Sequence, residues 1–153
     1  MLPQRINLIA YSTLAVIICY IDRVNISVAI IPMQEQFGWS DSQVGFIFSS
    51  FYLGYMLTMA LGGYLSDKFG GKRVLGWGVV LWSIFTILTP LAAHNGFFAL
   101  FFIRILMGIG EGVTFPAWHS LYARWIPFNE RTRAIAFTNS GVSIGTIIGY
   151  IGT

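Results

Sequence analysis

Gly63-Tyr64-Leu65-Ser66-Asp67-Lys68-Phe69-Gly70-Gly71-Lys72-Arg73 is a short charged break between two long apolar runs. Glycine tolerates backbone angles that other residues avoid, so Gly63 and Gly70 allow a tight turn between two antiparallel helices. Asp67 ends the run before the turn. Lys68, Lys72 and Arg73 sit where a helix hairpin would emerge from a membrane. Taken alone, such a loop is one side of a membrane-spanning pair, and what flanks it decides the fold.

The flanking sequence supplies five apolar segments, near residues 6–31, 43–65, 74–91, 97–121 and 134–151. Each is long enough, at about 1.5 Å per helical residue, to cross roughly 30 Å of hydrocarbon. Composition agrees: 56% of residues are hydrophobic and only 10% charged, with a mean hydropathy of +0.70, too apolar for a soluble domain of 153 residues. Seventeen glycines suit close helix packing in lipid. The chain is therefore expected to be an all-α membrane protein with about five transmembrane helices. Five spans are too few to enclose a solute path, which makes an N-terminal fragment of a longer product the expectation.

Charge placement orients the spans. Arg5, Lys68, Lys72, Arg73, Arg124, Arg131 and Arg133 all fall at one side, and the alternate loops, 33–42 and 91–96, hold no Lys or Arg. By the positive-inside rule that side, with the N-terminus, is cytoplasmic. Met1–Arg5 followed by an apolar run can mimic a secretory signal, and Ser27-Val28-Ala29 resembles a cleavage site. The run continues through Ile30-Ile31 and four more spans follow, so an uncleaved first helix is expected. The net charge of +3 is not gathered on one soluble face, which excludes a nucleic-acid partner. Cys19 alone makes no disulfide framework, and His94 and His119 are too isolated for a metal site; no metal and no cofactor is expected.

Four ionisable residues break the apolar pattern: Asp22 and Arg23 in the first span, Arg104 and Glu111 in the fourth. A charge at the bilayer centre costs roughly 3 kcal/mol or more, so such residues face an interior cavity and carry function there by default. In Arg104-Ile105-Leu106-Met107-Gly108-Ile109-Gly110-Glu111-Gly112-Val113-Thr114-Phe115-Pro116-Ala117, positions seven apart differ by only about 20°. Arg104, Gly108, Glu111 and Phe115 therefore share a stripe. Arg104 and Glu111 are about 10.5 Å apart along the axis, beyond an ordinary i,i+4 contact. Gly108, Gly110 and Gly112 thin the helix and Pro116 kinks it. No strand precedes these glycines, so they form no dinucleotide loop. The competing reading is a structural ion pair that only specifies helix packing.

In Tyr20-Ile21-Asp22-Arg23-Val24-Asn25-Ile26-Ser27-Val28-Ala29, Asp22, Asn25 and Ala29 share a face, while Arg23 is rotated by about 100° from Asp22. The two charges point to different neighbours. Of Tyr52 and Tyr55 in the second span, Tyr55 is the better polar handle for a cavity, although buried tyrosines are as often packing residues. Gly141, Gly145 and Gly149 build a smooth groove along the fifth span, whose partner is expected beyond the five helices.

The order G-x-L-x-D-K-x-G-x-K between spans two and three resembles the signature loop of the major facilitator superfamily. That resemblance implies a gating role for Gly63, Asp67, Lys68, Gly70, Lys72 and Arg73, which lock the inner gate. Gly71 stands where a basic residue is usual. D-R-V-N-I-S-V-A in span one, R-x-L-M-G-I-G-E-G-V-T-F-P-A in span four, and Trp125-Ile126-Pro127-Phe128-Asn129-Glu130-Arg131-Thr132-Arg133 after it are similar to the anion:cation symporter branch, which includes solute carrier family 17, bacterial sugar-acid carriers and plastid phosphate and ascorbate carriers. The resemblance implies a twelve-helix fold of two six-helix halves, this chain supplying most of the first. It implies that Arg23 binds the anion with Tyr20 and Tyr55 nearby, that Asp22 and Glu111 exchange protons, and that Arg104 pairs with Glu111.

The expectation is thus a proton-coupled symporter of a sugar acid, hexuronate or related carboxylate, with the anion, protons, the lipid bilayer and the C-terminal half of the same polypeptide as partners. By the same resemblance an acid at position 22 points to the bacterial or plastid type, and no transit-like N-terminus favours a bacterial inner membrane. Sodium-coupled phosphate transport keeps the fold and changes the cargo. A scaffold or sensor without transport would use the buried charges only for helix register. An intramembrane enzyme using Glu111 and His119 is disfavoured, because eight residues separate them by roughly 12 Å and 80° on one helix.

Overall fold

The structure is a computed structural model that describes residues 2–152. Six helices follow one another: α1 (Leu2–Phe37), α2 (Asp41–Phe69), α3 (Gly71–His94), α4 (Phe97–Gly112), α5 (Thr114–Trp125) and α6 (Phe128–Gly152). α4 and α5 are two parts of one span, so five helices are long and apolar enough to cross a membrane. The break falls at Val113. Pro116 has no N–H to donate to the carbonyl of Gly112, the residue four before it, and the helix ends there. The expected kink is found, three residues ahead of the proline itself.

Several helices run past the expected spans into polar sequence, and α2 is capped at both of its ends. Ser40 and Gln43 form a reciprocal capping box at the start of α2. At the other end of α2, Gly70 takes φ +88° and donates its N–H to the Ser66 carbonyl. Gly63 differs from expectation: it lies inside α2, and the turn needs only Gly70. α6 starts at Phe128, where Glu130 and Arg131 donate their N–H groups to the Pro127 carbonyl.

Glycines decide which helices touch. A Cβ at Gly54 or Gly108 would collide with the carbonyls of Ile105 and Phe51 respectively, so α2 and α4 meet backbone to backbone. Gly110, rotated away from Gly108 and Gly112, meets α3 instead, where a Cβ would lie 2.8 Å from the Trp82 nitrogen. Gly141, Gly145 and Gly149 pack on α1, against Thr13, Ile17 and Val24. The expectation of a partner outside these helices is thereby corrected. Four-residue spacing makes the groove, and the first helix fills it.

The basic loops gather at one end, joined by Arg5–Glu130 (3.7 Å) and Arg124–Asp67 (3.5 Å). An apolar cluster around Trp118, Leu121 and Tyr122 lies toward this end, and one around Ile30, Ile47 and Leu100 toward the other. Between them Phe51, Trp82 and Met107 form a third cluster. The buried charges lie beside this middle layer.

Candidate functional site

α1 brings Cys19, Tyr20, Asp22 and Arg23 to the middle of the bundle, α2 brings Phe51 and Tyr55, and α4 brings Arg104 and Glu111. Glu111 is fully buried. Its Oε2 accepts from Arg23 Nε at 2.9 Å and from Cys19 Sγ at 2.9 Å. Cys19 and Arg23 are four residues apart on α1, so one helix face delivers both donors to one oxygen. The Arg23 guanidinium carbon lies 5.0, 5.1 and 4.6 Å from the ring centres of Tyr20, Phe51 and Tyr55. Aromatic faces at such distances attract a cation through the ring quadrupole.

Arg104 takes a different place from the expected one. Among the described residues the ion pair to Glu111 is made by Arg23, and Arg104 makes none. Its Nη1 approaches Met107 Sδ at 3.3 Å and its guanidinium carbon lies 4.8 Å from the centre of Phe51. The reason is geometric. Two turns separate Arg104 from Glu111 on their own helix, whereas Arg23 reaches across from α1 at the level of the carboxylate.

Asp22, one residue before Arg23, faces the other way. Its Oδ2 accepts from the Thr86 hydroxyl of α3 at 3.4 Å, a proton shared with the Trp82 carbonyl at 3.0 Å. Asp22 and Arg104 line one cavity of about 220 Å³ together with Asn25, Thr86, Thr89 and Met107. Arg23 and Glu111 line none of it. The six residues expected at the site therefore divide: Tyr20, Arg23, Tyr55 and Glu111 form one group, Asp22 and Arg104 another. Phe51 lies against both guanidiniums.

Three buried polar atoms at the junction hydrogen-bond to no described protein atom: Arg23 Nη2, Arg104 Nε and Glu111 Oε1. Burial without a partner is costly for a charged group. These atoms give the site capacity for a polar solute or a proton. Sequence reasoning passed over Cys19 and Phe51. The signal for them is spacing: each lies one helical turn before an expected site residue, Cys19 before Arg23 and Phe51 before Tyr55.

The loop residues lie apart from this site. Asp67 accepts from Arg124 Nη2 at 3.5 Å and from Ser120 Oγ at 3.4 Å, tying the α2–α3 turn to α5. Lys68 Nζ rests 5.7 and 5.5 Å from the rings of Tyr64 and Phe69. Lys72 and Arg73 are exposed on the first turn of α3. Gly71 is buried, and a Cβ there would sit 2.6 Å from the Ala117 carbonyl oxygen, so this backbone leaves no room for a basic side chain.

Comparison with known proteins bears on the fold and the family. The chain is 49% identical over 147 residues to the probable anion transporter 4, chloroplastic, of Oryza sativa subsp. japonica, covering 96% of this chain and 25% of that protein. It is 48% identical to the chloroplastic ascorbate transporter of Arabidopsis thaliana, covering 96% of this chain and 27% of that protein. With the sodium-dependent phosphate transport protein 1, chloroplastic, of the same plant the figures are 46%, 96% and 29%. The chain thus spans between a quarter and three tenths of the length of these relatives. Among solved structures, the bacterial homologue of the human lysosomal transporter Spinster, inward-facing and unoccupied, superposes with a TM-score of 0.89 at 29% identity, over 96% of this chain and 30% of that one. Residues 12–153 match the Major Facilitator Superfamily. With its five apolar spans, its glycine-packed helix pairs and these relatives, the chain belongs to the Major Facilitator Superfamily.

Proposed function

We propose that this chain forms part of the first half of a secondary active transporter that moves an organic anion together with protons by alternating access. The observation that carries the reading is the Arg23–Glu111 pair across α1 and α4, walled by Tyr20, Phe51 and Tyr55. A guanidinium with an open Nη2 is a fork for a carboxylate, and a neighbouring carboxylate that takes up a proton releases that fork. Arg23 is the anion anchor, Tyr20 and Tyr55 border it, and Glu111 is the proton-responsive group. Asp22 is a second protonatable group, facing Arg104 across their shared cavity. The Asp67–Arg124 contact supports a gating role for Gly63, Asp67, Lys68, Gly70, Lys72 and Arg73, with Gly63 contributing helix and not turn.

The relatives are named as transporters, which favours transport over catalysis and over a silent scaffold. One of them is named for sodium-dependent phosphate transport, and this supports phosphate with sodium as the second reading. The two separate in proteoliposomes holding the complete polypeptide, under proton and sodium gradients imposed one at a time. Gluconate or glucuronate is expected to accumulate several-fold under the proton gradient alone. Phosphate accumulation that requires sodium would replace this reading with the second.

The membrane is a further proposal. The relatives compared are chloroplastic, so they lend no support to the bacterial inner membrane expected from the sequence. Orientation rests on the basic end being cytoplasmic. A cysteine at Asn95 is expected to react with an impermeant thiol reagent from outside intact cells, and one at Lys68 only after lysis. Both positions are exposed, whereas Gly71 on the same turn is buried and unsuited to the experiment. The opposite labelling pattern would reverse the topology.

A further inference from the structure

One ring stands between the two groups of the site. Phe51 is 1% exposed, and the guanidinium carbons of Arg23 and Arg104 lie 5.1 and 4.8 Å from its centre. An aromatic residue on an apolar helix is ordinarily packing, and a single cation near it would not alter that. Two cations on one buried ring do, because each arginine keeps one buried nitrogen without a hydrogen-bond partner among the described residues. Among the described residues Arg104 Nε has no hydrogen-bond partner, and its Nη1 meets the Met107 thioether. Arg23 uses Nε on Glu111 and leaves Nη2 open.

The ring is also held in place. The Phe51 carbonyl is pressed against Gly108 of α4, where no Cβ fits. Tyr55 stacks on the ring at 5.9 Å and Tyr52 meets it edge-on at 5.4 Å. A ring beside the α2–α4 contact is thus a seat for two largely buried cations, in a setting dry enough for a cation–π contact to reach its upper range.

Resting on the anion-transport reading, we propose that Phe51 is a positioning residue: its π face orients Arg23 and Arg104 together, and so sets the affinity of the site for the anion. When an anion draws Arg23 from Glu111, the ring keeps the guanidinium aimed. Without it, two buried like charges lose a shared attractive surface and spread over more conformations.

Replacing Phe51 by 4-fluoro-, 3,4,5-trifluoro- and pentafluoro-phenylalanine drains the π face stepwise while changing ring size little. In the complete polypeptide, with gluconate and inorganic phosphate as probes, KM for the transported anion is expected to climb along the series, reaching about tenfold, with kcat changed far less. Phe51→Leu should raise KM similarly, and Phe51→Trp, which restores a π face, should recover most of the affinity. A KM that stays flat along the series would reduce Phe51 to packing, even if Phe51→Leu is impaired. Melting temperature in detergent gives a readout independent of transport. It should fall along the series in the wild-type background and stay level when Arg23 and Arg104 are both replaced by Met. A wild type that carries neither probe sinks the transport reading and the affinity role with it. A level melting series in the wild-type background overturns the ring–arginine contact itself.

Discussion

Arg23→Lys in the complete polypeptide is expected to raise KM for the transported anion by roughly 10- to 100-fold, the scale of losing one or two charge-assisted hydrogen bonds. The charge is kept, so the electrostatic draw on the anion and the attraction to Glu111 both persist. What disappears is geometry. An ammonium has no planar fork for a carboxylate and no flat face to lie along Tyr20, Phe51 and Tyr55. The variant should therefore fold and reach the membrane while binding poorly. Initial rates of labelled-anion exchange over a concentration range measure this directly. Wild-type affinity in Arg23→Lys would mean that the residue serves helix packing and that the anion is held elsewhere.

Glu111→Gln is expected to separate exchange from accumulation. The glutamine has nearly the shape of a protonated glutamate and cannot ionise, so Arg23 is no longer held by charge. Substrate should still exchange between the two sides at a rate within a few-fold of wild type. The accumulation ratio under an imposed proton gradient should collapse toward one, because a proton arriving at position 111 no longer changes anything. In the proton-coupled carrier proposed above, the proton must be read by an element with two arrangements, and the Arg23–Glu111 pair between α1 and α4 is the element that the proposal assigns to it. Stability should fall as well, since breaking a buried ion pair by removing one partner costs about 3–5 kcal/mol. Melting curves alongside the transport assay keep that effect separate. Accumulation equal to wild type would make Glu111 structural and move proton coupling to another group, with Asp22 the first to test.

The sequence by itself determined the class and the inventory. Five apolar runs of membrane-crossing length, the loop around Gly70 and the one-sided basic residues required no tertiary information, because bilayer thickness and charge asymmetry act on each segment separately. The four intramembrane charges were also legible, since any charge in such a run stands out. The Pro116 disruption could be read for a similar local reason, although its position, at Val113, follows from which carbonyl loses its donor.

Only the tertiary structure decided who meets whom. Seven-residue spacing puts Arg104 and Glu111 on one stripe, and nothing within α4 reveals that an arginine from α1 reaches the carboxylate first. The partner of the Gly141–Gly145–Gly149 groove was equally hidden. Periodicity describes the face a helix offers, and only packing shows that α1 lies against it. Cys19 and Phe51 acquire their meaning the same way, a thiol and a phenyl ring in apolar sequence until α4 is brought against them. Local rules fix what one helix presents, but pairing among helices is set by which small residues let two backbones approach, and that depends on all five spans at once.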